Sequence, residues 1–577
     1  MEHAILGVVG ILIVVGVAAF ASRLGVAAPL ILVVVGIVCS FIPGVPEIDF
    51  ISPEIILAFV LPPILYSNAV TVPLVDFRRN LKAITGLSVL LVIISALASG
   101  AFLYWLLPDL SLPAAIALGA VISPPDAVAA TAIGKKLGLP PRLVTLLEGE
   151  GLVNDASALV LLRSAVALTA ATAEFKPWEV AGDFVYAVAA AIAIGLVVGY
   201  VTVWARSRLN DAVLTTNISF AVPFVAFIPA EEINASGVLA VVVAGLYTGH
   251  RSATMFSAQD RISERTNWRT AQFVLENGVF LLMGVELKTL VQQVQMAHLG
   301  VWHAIWVGLV TTLLLVVVRG MFIVPLIAVL RKDQRRAAQV GPYLDSALER
   351  LDLMDAGTER ATERSTRVRR FISRKRADAD FLTSEGLSWR GGVVLAWSGM
   401  RGVVTLAAAQ SLPQDLPYRA ELVLVAFTVA IVTLLGQGLT LPVVIRWLGV
   451  VGSDRSVDRA ELAGLYQEMA TIGLATLDNP GLRRDNGEPF DADVVERVRE
   501  DSLMMGEAVA ERSGDDEHRP HEQRRELRLR VLQAERAAFL DARATGTYSS
   551  RILERAQRML DLEESRLMQL DGEHGHH

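Results

Sequence analysis

The sequence predicts an all-α polytopic membrane protein, with about thirteen transmembrane helices and a helical cytoplasmic tail. Three observations predict it. The 577 residues are 53% hydrophobic and 19% charged, with a mean hydropathy of +0.48, whereas a soluble chain is about 25% charged. Long apolar runs separated by short polar loops fill residues 1–450, and the chain turns charged over 451–577 with no run long enough to span. Basic residues then alternate between successive loops, as the positive-inside rule requires.

A span takes roughly 17 to 25 mostly apolar residues. Such runs lie at 4–22, 25–43, 51–70, 82–107, 112–133, 144–172, 182–204, 212–229, 234–249, 269–292, 301–330, 391–411 and 421–449. The first lacks a basic leader and is long, so it reads as a retained span and not as a signal peptide. One set of loops carries Arg23, then Arg78, Arg79 and Lys82, then Lys135, Lys136 and Arg142, then Arg206 and Arg208, then Arg251, Arg261 and Arg265, and finally the 331–390 insertion. The other set, such as PDLSLP and PAEE, has few basic residues. This places the N-terminus outside and the insertion and tail in the cytoplasm, in a cell membrane.

The insertion reads as partly helical, and its basic end RVRRFISRKR can meet either water or anionic lipid. Amphipathic stretches in the tail, such as AELAGLYQEMATIGLATL and EQRRELRLRVLQAERAAFLDA, predict a small helical domain. The terminal HGHH is given no metal-binding weight. The single cysteine, Cys39, excludes an intrachain disulfide and a Cys-based zinc site. No basic patch with interleaved aromatics suggests nucleic acid. No P-loop, HExxH or Ser–His–Asp order suggests an enzyme, and no cofactor is expected.

Polar groups inside spans carry the chemistry, because a bare carboxylate in the bilayer core costs at least a few kcal/mol. In SPPDAVAA (123–130) two prolines remove backbone donors and break the fifth span beside Asp126. Freed carbonyls, Pro125 among them, are then available to a cation. In EGEGLVNDASALVLLR (148–163) Gly151 and Asp155 share one helix face, and Glu150 and Asn154 another. A midplane carboxylate can hold a cation or a proton but not both at full strength, and that competition suits exchange. In WSGMRGVVTLAAAQ (397–410) Arg401 sits between Gly399 and Gly402, central in an apolar run. A buried guanidinium needs a carboxylate, and Glu150 is the expected partner. Ser236, Glu276 and Asn277 are further polar groups inside apolar runs, and helix–helix hydrogen bonding explains Asn277 and Ser236 about as well as function does. Arg163 and Arg319 are expected to pair structurally or to snorkel.

At these residues the chain resembles the cation/proton antiporter superfamily, in its electroneutral sodium/proton (NhaP-like) branch. LPPILYSNAV (61–70), SPPDAVAA, EGEGLVNDASALV, SGVLAVVVAGL (236–246) and SGMRGVVTLA (398–407) occur in the family's order across the membrane domain. The resemblance implies thirteen spans with inverted repeats, a homodimer, and two broken helices, the fifth and twelfth, crossing near the midplane. It implies Asp155 as the alternating cation/proton carrier, Asn154 beside it, Asp126 in the site, and a Glu150–Arg401 pair. The branch in which the residue before the carrier is also an aspartate is electrogenic. Asn154 cannot titrate, so the resemblance implies one monovalent cation, Na⁺ first and K⁺ or Li⁺ after it, for one proton. The chain departs from the family at Pro125, where Thr is frequent, at Gly151, where Ser is, and at Ser67–Asn68, where Glu is. The missing hydroxyl ligands leave the role to backbone carbonyls and water. A cation channel, or a sensor acting through its tail, are the rival classes.

Overall fold

The structure, a computed structural model, describes residues 2–24, 26–42, 53–170, 177–209, 211–297, 300–352, 359–450, 455–479, 481–484, 486–500, 520–545 and a few positions between 556 and 564. The terminal HGHH and the loop PGVPEIDF lie outside the described residues. The chain divides into two compact units, Met1–Gly452 and Ser453–His577. Among the described residues there is no strand, only one isolated bridge, between Arg483 and Pro489.

In the first unit the helices are α1 (Glu2–Leu24), α2 (Ala28–Ser40), α3 (Pro53–Thr71) and α4 (Leu74–Leu106). Next come α5 (Leu112–Ile122), α6 (Ala127–Lys136), α7 (Pro141–Ala170), α8 (Pro177–Arg206) and α9 (Ala212–Glu232). Then follow α10 (Gly237–Met255), α11 (Ala258–Val285), α12 (Leu287–Met296) and α13 (Val301–Asp352). The unit closes with α14 (Glu359–Ser384), α15 (Trp389–Trp397), α16 (Val403–Gln410) and α17 (Arg419–Leu448). Every run expected to span is largely helical where described, with interruptions inside 112–133 and 391–411. Among the described residues eight helices or helix pairs are long and apolar enough to cross a membrane, and Ile5–Ala21 and Ala28–Ser40 are shorter apolar helices. The tail contains α18 (Arg455–Leu477) and α19 (Pro520–Thr545).

Helix starts follow local chemistry. Ser111, Asp126, Asp211 and Ser388 each accept a backbone N–H of the first turn of α5, α6, α9 and α15. Ser257 and Asp260 form a reciprocal capping box at the start of α11. That helix begins eleven residues before the expected 269 because the polar stretch AQDRISERTNW continues the helix outside the apolar run. The 331–390 insertion is likewise no separate loop. The good helix formers of RKDQRRAAQ carry α13 on to Asp352.

The helices form two bundles. In one, α2 packs on α11, and α10 on α3 and α8. Gly36 and Gly284 allow the first crossing: a Cβ at either would strike backbone of the other helix. In the other bundle α4 packs on α5, α5 on α7, and α13 on α17. The broken pair Leu112–Lys136 is buried over 67% of its apolar window and α17 over 72%, against 22% for Ala181–Arg206. The broken pair α5–α6 therefore lies in the middle of this unit, and α8 at its rim.

Candidate functional site

Two breaks meet at the centre. Ser123–Asp126 separates α5 from α6, and Ser398–Gly402 separates α15 from α16. The Asp126 amide donates to the Met400 carbonyl at 2.5 Å, tying one break to the other. Asp126 Oδ1 caps α6 by accepting from Val128 N at 2.8 Å. A Cβ at Gly402 would overlap the Asp126 carboxylate, so the contact of the two breaks requires glycine there.

Arg401 secures the crossing. Its Nε and Nη2 donate to the Ile122 and Ser123 carbonyls at 3.1 and 3.4 Å, and its Nη1 donates to the Gly399 carbonyl. Its amide donates to Thr433 Oγ1 at 3.0 Å. These carbonyls stand at the C-terminal ends of α5 and α15, where helices leave acceptors unpaired and carry partial negative charge. The expected Glu150–Arg401 pair is therefore corrected. Glu150 is paired with Arg319 of α13, Nη1 to Oε1 at 2.5 Å and Nη2 to Oε2 at 2.8 Å, with both side chains 2% exposed. Arg319 also donates to the Leu395 carbonyl. The planar guanidinium fork of Arg319 meets the carboxylate bidentately, while that of Arg401 is committed to carbonyls. Arg163, as expected, is paired, with Glu231 of α9.

Neighbouring positions of α7 do different work, because successive residues point about 100° apart. Asn154 is fully buried, and its Nδ2 donates to the Pro125 carbonyl. That carbonyl, expected to face a cation, has thus one lone pair already engaged. Asn154 Oδ1 is buried without a partner among the described residues. Asp155 is half-buried. It borders a cavity of about 360 Å³ together with Pro124, Pro125, Asp126 and Gly151. Gly151 lies against Ala127, where an added Cβ would approach to 2.6 Å, so its small size lets α7 meet the start of α6.

The cavity lies between the bundles. Its opposite wall comes from α3 and α11, through Leu65, Asn68, Gln272, Glu276 and Phe280. There Gln272 Nε2 donates to Asn68 Oδ1 and Glu276 Oε1, both at 2.7 Å, and Ser67 Oγ donates to Gln272 Oε1 at 2.8 Å. Lys135 and Glu148, an ion pair at 2.7 Å, also line the cavity. A second, small cavity of about 10 Å³ also borders Asp155, lined by apolar side chains such as Val121, Ala158, Leu162 and Ala408. That is about one water's worth of space.

The structure thus brings together Asp126, Asp155, Asn154, Pro125 and Gly151, and it separates Glu150 and Arg401 from the cavity. Ser236 and Asn277 do not border it. Ser236 caps α10 by accepting from Leu239 N at 3.3 Å, and Asn277 donates to the Phe273 carbonyl of its own helix at 2.8 Å. Gln272 was not singled out by sequence, and Asn68 only as a departure from the family's Glu. The available signal for Gln272 is its i, i+4 spacing from Glu276, which puts both on one face of α11.

Crossed discontinuous helices beside a cavity at mid-helix depth define the architecture of a secondary transporter. The chain belongs to the sodium/hydrogen exchanger family: the family described as "Sodium/hydrogen exchanger, transmembrane" matches residues 9–447. A relative from Mycobacterium tuberculosis, described as an uncharacterized Na(+)/H(+) exchanger, is 28% identical over 556 residues, 95% of this chain and 93% of its own. The Na(+)/H(+) antiporter ApNhaP of Aphanothece halophytica is 28% identical over 433 residues, 74% of this chain and 71% of its own. Among solved structures, the sodium proton antiporter MjNhaP1 from Methanocaldococcus jannaschii matches with a TM-score of 0.51 at 16% identity, over 78% of this chain and 98% of that one. At that identity the likeness is one of fold. The chain is a multi-pass membrane protein, and cation/proton antiport is the class of activity these findings give it.

Proposed function

We propose that the chain exchanges Na⁺ for H⁺ one for one, with Asp155 carrying each in turn. One observation carries this reading. Asp155 is the only carboxylate on the cavity with no hydrogen bond or ion pair among the described residues. Asp126 is bonded to Val128 N, Glu276 to Gln272 and Glu148 to Lys135. A bare charge at that depth is costly, so a cation or a proton must neutralise it. Asp126, the partnerless Asn154 Oδ1 and the remaining lone pair of the Pro125 carbonyl are the groups nearest in kind to help hold a small cation. Asn154 itself cannot titrate, which supports one ionisable carrier and no net charge moved.

By the positive-inside rule the cavity mouth, marked by Lys135, faces the cytoplasm, so the conformation is inward-facing. The Asp155 bundle then moves past the α3–α11 wall to open the other side, the ion leaves, and the protonated site returns. The small size and apolar lining of the second cavity beside Asp155 support alternation over a continuous pore. A homodimer assembled through the α3–α11 bundle accompanies this reading.

The test is exchange in proteoliposomes, following ΔpH while Na⁺, Li⁺ and K⁺ are added in turn. Wild type should respond to Na⁺, and D155N should respond to none while keeping its fold. A rate that changes with imposed membrane voltage would refute the one-for-one stoichiometry. Loss of exchange on removing residues 455–577 would move the activity's seat towards the tail.

A further inference from the structure

The chain enters α7, α9, α11 and the α15–α16 pair from basic segments, so by the positive-inside rule the C-terminal ends of these helices share the outer side. Helices α7 and α16 belong to the bundle that bears Asp155, since α7 packs on α5 and α16 on α17. Helix α9 packs on α8 and α10 of the other bundle, which also holds α11. Two side-chain contacts join the bundles at the outer side. Arg163 of α7 pairs through Nη2 with Glu231 in the last turn of α9, and its Nη1 donates to the Ala235 carbonyl at 3.5 Å. Glu231 is held from its own side as well, because Oε1 accepts from Gly237 N at 2.9 Å at the start of α10. Gln410, the last residue of α16, donates from Nε2 at 3.0 Å to Oε2 of Glu286, the residue that follows α11. Arg419 fixes that end of α16 by donating to the Gln410 and Leu412 carbonyls at 2.6 and 3.0 Å.

The inner side is built otherwise. Lys135 pairs with Glu148 inside the Asp155 bundle, and Gln272 bonds Ser67, Asn68 and Glu276 inside the opposite wall. Each of these contacts stays whole when one bundle moves past the other. Between the carrier and the outer contacts the packing is apolar. Ala158 and Leu162 stand one and two turns beyond Asp155 along α7, and Val404 and Ala408 precede Gln410 along α16; all four line the small second cavity. Arg163 is eight residues beyond Asp155, a rise of about 12 Å.

We propose that the Arg163–Glu231 and Gln410–Glu286 contacts are the outer latch of the transport cycle, which holds the inward-facing arrangement and separates each time the outer side opens. This rests on the reading of the chain as an alternating-access exchanger. The four are positioning residues, since none of them borders either cavity. Movement of the Asp155 bundle carries Arg163 and Gln410 away and leaves Glu231 and Glu286 behind, so neither contact survives it. The strength of the latch suits a repeated motion. The Arg163 side chain is 48% exposed and that of Glu231 24%, so water replaces each lost partner and the pair biases the equilibrium without locking it. The buried Glu150–Arg319 pair, costly to break, lies wholly inside one bundle and never has to part.

The test uses the full chain with its one native cysteine removed (C39S). In proteoliposomes, E286C/Q410C is bridged with ethanediyl bismethanethiosulfonate: exchange should fall at least tenfold and return when dithiothreitol cuts the bridge. Thiol accessibility gives a second reading that does not depend on exchange. In cells, A408C should react with an impermeant thiol reagent from outside about tenfold faster once R163Q/Q410L is added, the order expected for losing two such polar contacts. In inside-out vesicles T131C, on the cavity, should react more slowly with the same change. W302C, exposed at the outer start of α13, should react equally with and without it. Undiminished exchange in the bridged protein, or reactivities of A408C and T131C that do not move in opposite directions, would overturn the latch. A wild type that shows no exchange at all would refute the exchanger reading instead, and the two reactivities would still decide for or against the latch.

Discussion

Asp155 and Glu276 face one cavity from opposite bundles, and their surroundings differ in kind. Glu276 is held by Gln272, which is held in turn by Ser67 and also bonds Asn68, so the α3–α11 wall is a closed polar network. Asp155 has no partner on its own wall, although Asp126, Asn154 and the Pro125 carbonyl lie around the same break. The contrast teaches that satisfaction, and not the mere presence of a carboxylate, separates a wall from a carrier. A hydrogen-bonded acid keeps its surroundings whatever passes, whereas an unpartnered one must take its partner from the passing ions.

The largest effect expected is at the carrier. D155N should abolish exchange in a ΔpH assay while eluting and melting like wild type, whereas E276Q should change the rate by less than about tenfold, the worth of one hydrogen bond. Equal losses in the two variants would erase the distinction between the walls. Next come the buried charges. R319A strands Glu150 and should cost about 3–5 kcal/mol of stability. In double-mutant cycles read by thermal or denaturant unfolding, E150Q with R319Q should show coupling above about 1 kcal/mol, and larger than E150Q with R401Q.

A smaller loss is expected from G402A, whose methyl group would press on the Asp126 carboxylate. Overpacking of this kind costs about 1–3 kcal/mol, and exchange should fall with it because the crossing is displaced. The smallest is S236A, which removes a helix cap worth about 1 kcal/mol. It should lower the melting temperature slightly and leave the dependence of exchange on Na⁺ concentration unchanged.

Much of this was legible in the sequence. Apolar runs give the helices because backbone groups in a bilayer must be satisfied within one segment. Pro124–Pro125 gives the first break because the donors are missing. The glycines around Arg401 mark the second. The partner of Glu150 was not legible. Arg319 and Arg401 are both buried arginines in apolar runs, and only the crossing decides which one its carbonyls claim. Nor could sequence tell Glu276 from Asn277 as the cavity residue, since adjacent positions differ by about 100° and the neighbouring bundle sets which faces in. The polar link from Gln272 to Ser67 and Asn68 joins positions some two hundred residues apart, so no local pattern records it.

The most direct test of the central claim is to count protons. Purified protein in weakly buffered detergent solution is titrated with NaCl, with choline chloride as control, and the released acid is measured. The account predicts that Na⁺ displaces up to one proton per chain from wild type, most where the carrier starts protonated, and none from D155N. Release of as much acid by D155N as by wild type would contradict it.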